Sequence, residues 1–134
     1  MRAQLRTWLI ANVAEVAALD GLKVHVENAE QGTDTDHIVI QVDGEDPHNH
    51  LGGVGGLKSA RVDIDCKAST PDAADDLAAA IERDLEPYTG AMDTITVDAV
   101  ILQDTSYWSE AAKPGRDVDR YVTTKEFTIQ YKVS

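Results

Sequence analysis

The chain predicts an α+β domain, a mainly antiparallel sheet with two helices packed on it, in the order α-β-β-β-α-β-β. Three observations carry the prediction. Two segments repeat apolar residues at helical spacing, near residues 2–18 and 70–86. Residues 61–67 and 121–133 alternate between apolar and polar, as strands with one buried face do. The strands form one group before the second helix and another after it, and no repeat or linker divides the 134 residues, so one domain is expected over 1–134.

In the first helix Leu5, Trp8, Leu9, Val13 and Val16 fall on one stripe, which places Trp8 in the core, and Gly21 suits its end. Val24-His25-Val26 is a short apolar alternation followed by a polar turn at 28–35. Ile38-Val39-Ile40-Gln41-Val42 is a β-branched run of strand length. Residues 43–56 read as the loosest stretch, a flexible loop holding five of the nine glycines, Pro47, His48 and His50. The next strand sets Arg61, Asp63, Asp65 and Lys67 against Val62, Ile64 and Cys66. Cys66 is thus expected as a small buried hydrophobe and the charged face as a salt-bridged ladder.

The second helix is signed at both ends. Thr70 caps it, Pro71 takes the first helical position, Asp72, Asp75 and Asp76 sit near the positive end of its dipole, and Pro87 stops it. Its buried stripe is Ala74, Leu77, Ala78, Ile81 and Leu85. Ile95, Val97, Ala99 and Ile101 then alternate with Thr96, Asp98, Val100 and Leu102. In the closing strand Tyr121, Thr123, Lys125, Phe127, Ile129, Tyr131 and Val133 share one side. Residues 103–120 between them read as a long connection bearing Tyr107 and Trp108.

Twelve basic against twenty-four acidic residues give a formal charge of −12, which argues against a broad phosphate-gripping face. No apolar run approaches the ~20 residues of a membrane span, and the N-terminus has no apolar stretch of the signal type. One cysteine excludes a disulfide framework and a multi-cysteine zinc site. The phosphate-loop, dinucleotide and nucleophile-elbow spacings are all absent. Asp46, His48 and His50 are ligand types that a metal-dependent hydrolase uses, but they stand in a glycine-rich stretch with no rigid element to hold them. No cofactor, metal or catalytic residue is assigned. Interaction chemistry is the stronger expectation. Gly52, Gly53, Val54 and Gly55 in one loop, and Tyr107 and Trp108 in the other, are the candidate oligomer or partner interface; local packing on the sheet is the alternative for the two aromatics. A plain binding module whose Tyr107/Trp108 loop docks a peptide remains open, and the stretch after Val122 could offer a sheet edge to a neighbour.

Three phrases carry a family resemblance. They are Leu5-Arg6-Thr7-Trp8-Leu9 in the first helix, the strand 61–67 running through Ala68-Ser69-Thr70-Pro71-Asp72-Ala73-Ala74 into the helix to Leu85, and the closing pattern Tyr121-x5-Phe127-x-Ile129-x-Tyr131. With these the chain resembles the tail-completion or tail-terminator proteins of long-tailed phages and gene transfer agents. The resemblance implies a structural virion protein without an active site, assembled in the host cytoplasm. It would form a ring of its own copies, commonly hexameric, at the head-proximal end of the tail tube. Its partners would be the tail-tube protein and a head connector or stopper, and DNA would pass through without specific binding. A head–tail connector or stopper component is the neighbouring reading.

Overall fold

A computed structural model describes residues 1–19, 24–26, 36–50, 53–110 and 120–133, and the side chains of all of these except 45–50, 53–56, 110 and 133. The first helical stripe forms two segments, α1 (Arg2–Asn12) and α2 (Ala14–Ala17), where a single helix over 2–18 was expected. Val13 breaks it by taking an extended conformation, φ −108° and ψ 108°, which suits a β-branched residue. The Asn12 side chain donates to the Trp8 carbonyl at 2.9 Å and so competes with continued helix. The kink leaves Leu5, Trp8, Leu9, Val13 and Val16 all buried, as their spacing predicts.

The strands are β1 (Val24–Val26), β2 (His37–His50), β3 (Gly53–Ala68), β4 (Gly90–Met92), β5 (Ile95–Glu110) and β6 (Arg120–Val133), with α3 (Pro71–Leu85) between β3 and β4. They form one sheet in the order β1-β2-β3-β6-β5-β4, antiparallel except where β1 runs parallel to β2. The α+β class and the mainly antiparallel sheet are as predicted; β4 is additional. It opens with Gly90 at φ +124° and turns back on β5 through Asp93 at φ 55°, conformations that glycine and aspartate tolerate.

Two expected loops are largely strand. β2 and β3 run through most of 43–56 as a long hairpin, and β5 continues to Glu110. Low local strand propensity is overridden by pairing with a neighbour. The mismatch appears instead as irregular register. Asp43 is an extra residue in β2, and between Pro47 and Asn49 the pairing slips so that β3 carries three residues (55–57) against one of β2. β5 is bulged at Asp98 and again at Gln103. The first bulge reverses the predicted alternation, so that Ile95, Val97 and then Val100 are buried while Ile101 is 44% exposed.

The helices cover one face of the sheet. Ile38, Ile40, Ala60, Val62, Ile64, Cys66, Phe127, Ile129 and Tyr131 meet the helical stripes there. α3 follows its sequence signals closely. The Thr70 hydroxyl accepts from the Ala73 amide at 3.2 Å, Pro71 occupies the first turn, and Ala74, Leu77, Ala78, Ile81 and Leu85 are buried. Trp8 stacks in a tilted geometry on Tyr88, ring centroids 4.7 Å apart, tying α1 to the segment after α3.

Candidate interaction surfaces

Sheet register decides which side chains share a face. On the helix side, Thr123 donates to Asp75 at 2.6 Å, and the Lys125 ammonium is held by Glu82 at 2.7 Å and Thr105 at 3.0 Å. These contacts tie α3 to β6. Cys66 is fully buried on the same face, and burial beside Asp65 pushes its thiol far above the ordinary range, which makes it inert as a nucleophile at neutral pH.

On the outer face Asp63 lies directly opposite Glu126, and Glu126 lies opposite Asp104 on β5. Asp43, turned by its bulge, shares a hydrogen bond with Asp63. Partial burial, that bond and the charges of Asp43, Glu126 and Asp65 push the Asp63 carboxyl up to about 7. Asp65 accepts from the Thr124 hydroxyl at 2.7 Å. The face expected as a salt-bridged ladder thus carries a row of carboxylates across the strands, with the Lys67 ammonium over the Trp108 ring, 5.6 Å from its centroid. Carboxylates on neighbouring strands are not adjacent in sequence, and only the register brings them together. His25 and His37 also meet on this face, edge to face with centroids 5.6 Å apart.

Of the predicted interface residues, Gly53 and Val54 belong to β3, paired with His50 and Asn49, and Gly55 follows where the register slips. Gly52 lies outside the described residues. The glycine stretch is thus part of a hairpin and not a free loop. Asp46, His48 and His50 lie along β2, and their side chains are outside what is described. Tyr107 and Trp108 stand on β5, where a connecting loop was expected. Tyr107 points to the helix side and is 69% exposed. Trp108 points to the outer face and is 45% exposed, with its indole N–H donating to Thr124 at 3.0 Å. The two aromatics are therefore on opposite faces and form no single patch. β6 is paired on both sides by β3 and β5, so the stretch after Val122 offers no free edge.

The phrases that carried the resemblance are all structural: the buried face of α1, the β3-to-α3 passage with its Thr70 cap, and the core side of β6. A family model for the tail completion protein gp17 matches residues 3–128, which includes the first two in full and the third as far as Phe127. The chain belongs to this family. No curated protein matches it. Membership makes it a structural component of a phage tail and implies contact with other tail or head proteins. Among the described residues, His37, Val39 and Val122 are buried on the outer face, while Ile101, Tyr107, Trp108 and Tyr121 are the large exposed hydrophobic side chains. Among the described residues, no three histidine, cysteine, aspartate or glutamate side chains come together to hold a metal ion.

Proposed function

We infer that this protein closes the head-proximal end of a phage tail tube as a ring of its own copies, stopping tube polymerisation and presenting a surface to the head connector. The observation that carries the reading is the family match across nearly the whole fold. A cyclic ring needs two complementary, different patches on each subunit, and the sheet supplies dissimilar surfaces, a helix-covered face and one that carries the carboxylate row. The charge of −12 suits a ring through which DNA passes, since a negative lining leaves phosphates unheld. The carboxylate row of the outer face is the part of the surface best suited to that lining. Tyr107, Trp108 and the Gly53–Val54–Gly55 hairpin are the subunit or partner contacts in this reading.

The test is assembly with the tail-tube protein of the same phage. Electron microscopy of tubes polymerised with and without this protein should show shorter tubes with a ring-shaped cap at one end. Light scattering should show a closed oligomer once tubes are present. Tubes of unchanged length, with the protein left as a monomer in solution, would sink the proposal.

A further inference from the structure

The sheet has two long open edges, and they differ in build. β1 covers β2 only at residues 38–40, and β4 covers β5 only at 95–97. Among the described residues, β2 is therefore open from 42 onward and β5 from 98 onward. The β2 edge is poorly suited to pairing. It is bulged at Asp43, Pro47 has no N–H to donate, and the register slips again before Asn49. The β5 edge is interrupted only as far as Gln103. From 104 to 110 its pairing with β6 is unbroken, so the outward side is a regular strand edge. Among the described residues, three of the four large exposed hydrophobic ones, Ile101, Tyr107 and Trp108, lie on this one strand.

We propose that the 104–110 edge of β5 receives an extended segment of a neighbouring protein as an added strand, with basic side chains on the helix side and apolar ones on the outer side. Main-chain bonds supply affinity in such an addition, and alternate side chains supply specificity. The Thr105 amide donates to its neighbour Asp104 at 2.9 Å and so is turned away from β6. By strand alternation residues 107 and 109 carry the other outward amides. Tyr107 faces the helix side directly opposite Thr123, which is bonded to Asp75, and the exposed Asp72 and Asp76 share that first stretch of α3. Lys125 on this side is already engaged by Glu82 and Thr105, which leaves the exposed Asp75 carboxylate, bonded to a neutral hydroxyl next to the exposed tyrosine, as a setting for a cationic side chain. On the outer side Lys67 already lies over Trp108, so an apolar contact is what the indole has left to offer.

A second copy of this chain is a poor occupant. Two-fold pairing about Tyr107 sets Asp104 against Glu110, and the β2 edge of another copy brings Pro47 together with Asp43, Glu45 and Asp46. The proposal stands whether or not the protein ends the tail tube.

The experiment uses the full chain and two blocked peptides, one alternating lysine with valine and one alternating glutamate with valine. The basic peptide should bind about tenfold more tightly than the acidic one at low salt. It should slow amide hydrogen exchange at residues 107 and 109 and leave 42–47 unchanged. Ser109→Pro removes an outward donor at a position where an edge strand tolerates proline, and should weaken binding about tenfold with the thermal transition kept. Equal affinity for the two peptides, or no slowing at 107 and 109, or equal slowing along 42–47, would each overturn the proposal. Should Ser109→Pro fail to fold, the exchange pattern of the unmodified protein decides.

Discussion

On the helix side of the sheet the buried Lys125 ammonium is met by a carboxylate and a hydroxyl, whereas on the outer face partly buried Asp63 is met by another carboxyl group and flanked by two more. Both sites meet on β6, Lys125 facing one and the next residue, Glu126, the other. The difference lies in what can reach each site. α3 brings Glu82 down to Lys125, but among the described residues no helix lies on the other face, where the Lys67 ammonium stands over Trp108. A buried cation with a dedicated partner holds one geometry; a carboxylate among carboxylates binds a proton more tightly and becomes sensitive to pH.

The largest expected effect comes from substitutions that test which residue belongs to which face. Val100 is 7% exposed and Ile101 is 44% exposed, because the bulge at Asp98 reverses the alternation. Val100→Asp should cost about 3–4 kcal/mol in urea unfolding, since it places an unpaired charge in the core. Ile101→Asp should stay within about 0.5 kcal/mol. The opposite ranking would mean that β5 pairs without the bulge and that the two faces are exchanged over this stretch.

This pair of residues also marks where sequence reading reaches its end. Val100, Ile101 and Leu102 are all apolar, so alternation reads equally well in either phase, and only pairing with β6 selects one. The stretches 43–56 and 103–110 read as loops for a related reason. Glycine, proline and polar residues have weak strand propensity, and a partner strand distant in sequence supplies the hydrogen bonds that local preference does not. By contrast α3 was legible almost residue by residue, because its cap, first-turn proline and buried stripe are local signals. The interaction surface divides in the same way. Tyr107 and Trp108 stood out by type, while their placement on opposite faces of an open edge depends on register alone. The carboxylate row had no local signature, since Asp43, Asp63, Glu126 and Asp104 lie on four strands.

A smaller effect sharpens the contrast from the helix side. Glu82→Gln replaces the carboxylate that neutralises Lys125 and should cost about 1–2 kcal/mol, because the ammonium stays buried without its counter-charge. Lys125→Met should cost less, since a side chain of similar volume fills the site and Glu82, about a third exposed, returns to water. Urea midpoints of the two variants decide the order. If Lys125→Met proves the more damaging, the pair contributes more than its desolvation costs, and the helix side is held by charge as well as by packing.

The smallest effect belongs to the outer face and shows itself in pH dependence. The Asp63 carboxyl is raised to about 7, against 3.8 for an ordinary aspartate, by partial burial and by its bond to Asp43. Between those two values the folded chain binds more protons at this site than the unfolded chain does. Stability contributed here is therefore present at low pH, declines as pH rises from about 4 to 7, and stays low above that. Much of the group remains in water, so solvent screening limits the loss to about 1 kcal/mol. Asp63→Asn keeps the shape and a hydrogen bond to Asp43 while removing the charge. It should flatten the slope between pH 4 and 7 and raise stability at pH 8 by about that amount. Urea midpoints for both proteins across this range provide the check, and parallel curves would mean that the carboxylates of the row titrate independently, each solvated on its own. A flattened curve would instead tie the pH response of the whole chain to one bulge, since Asp43 reaches Asp63 only because β2 carries an extra residue there.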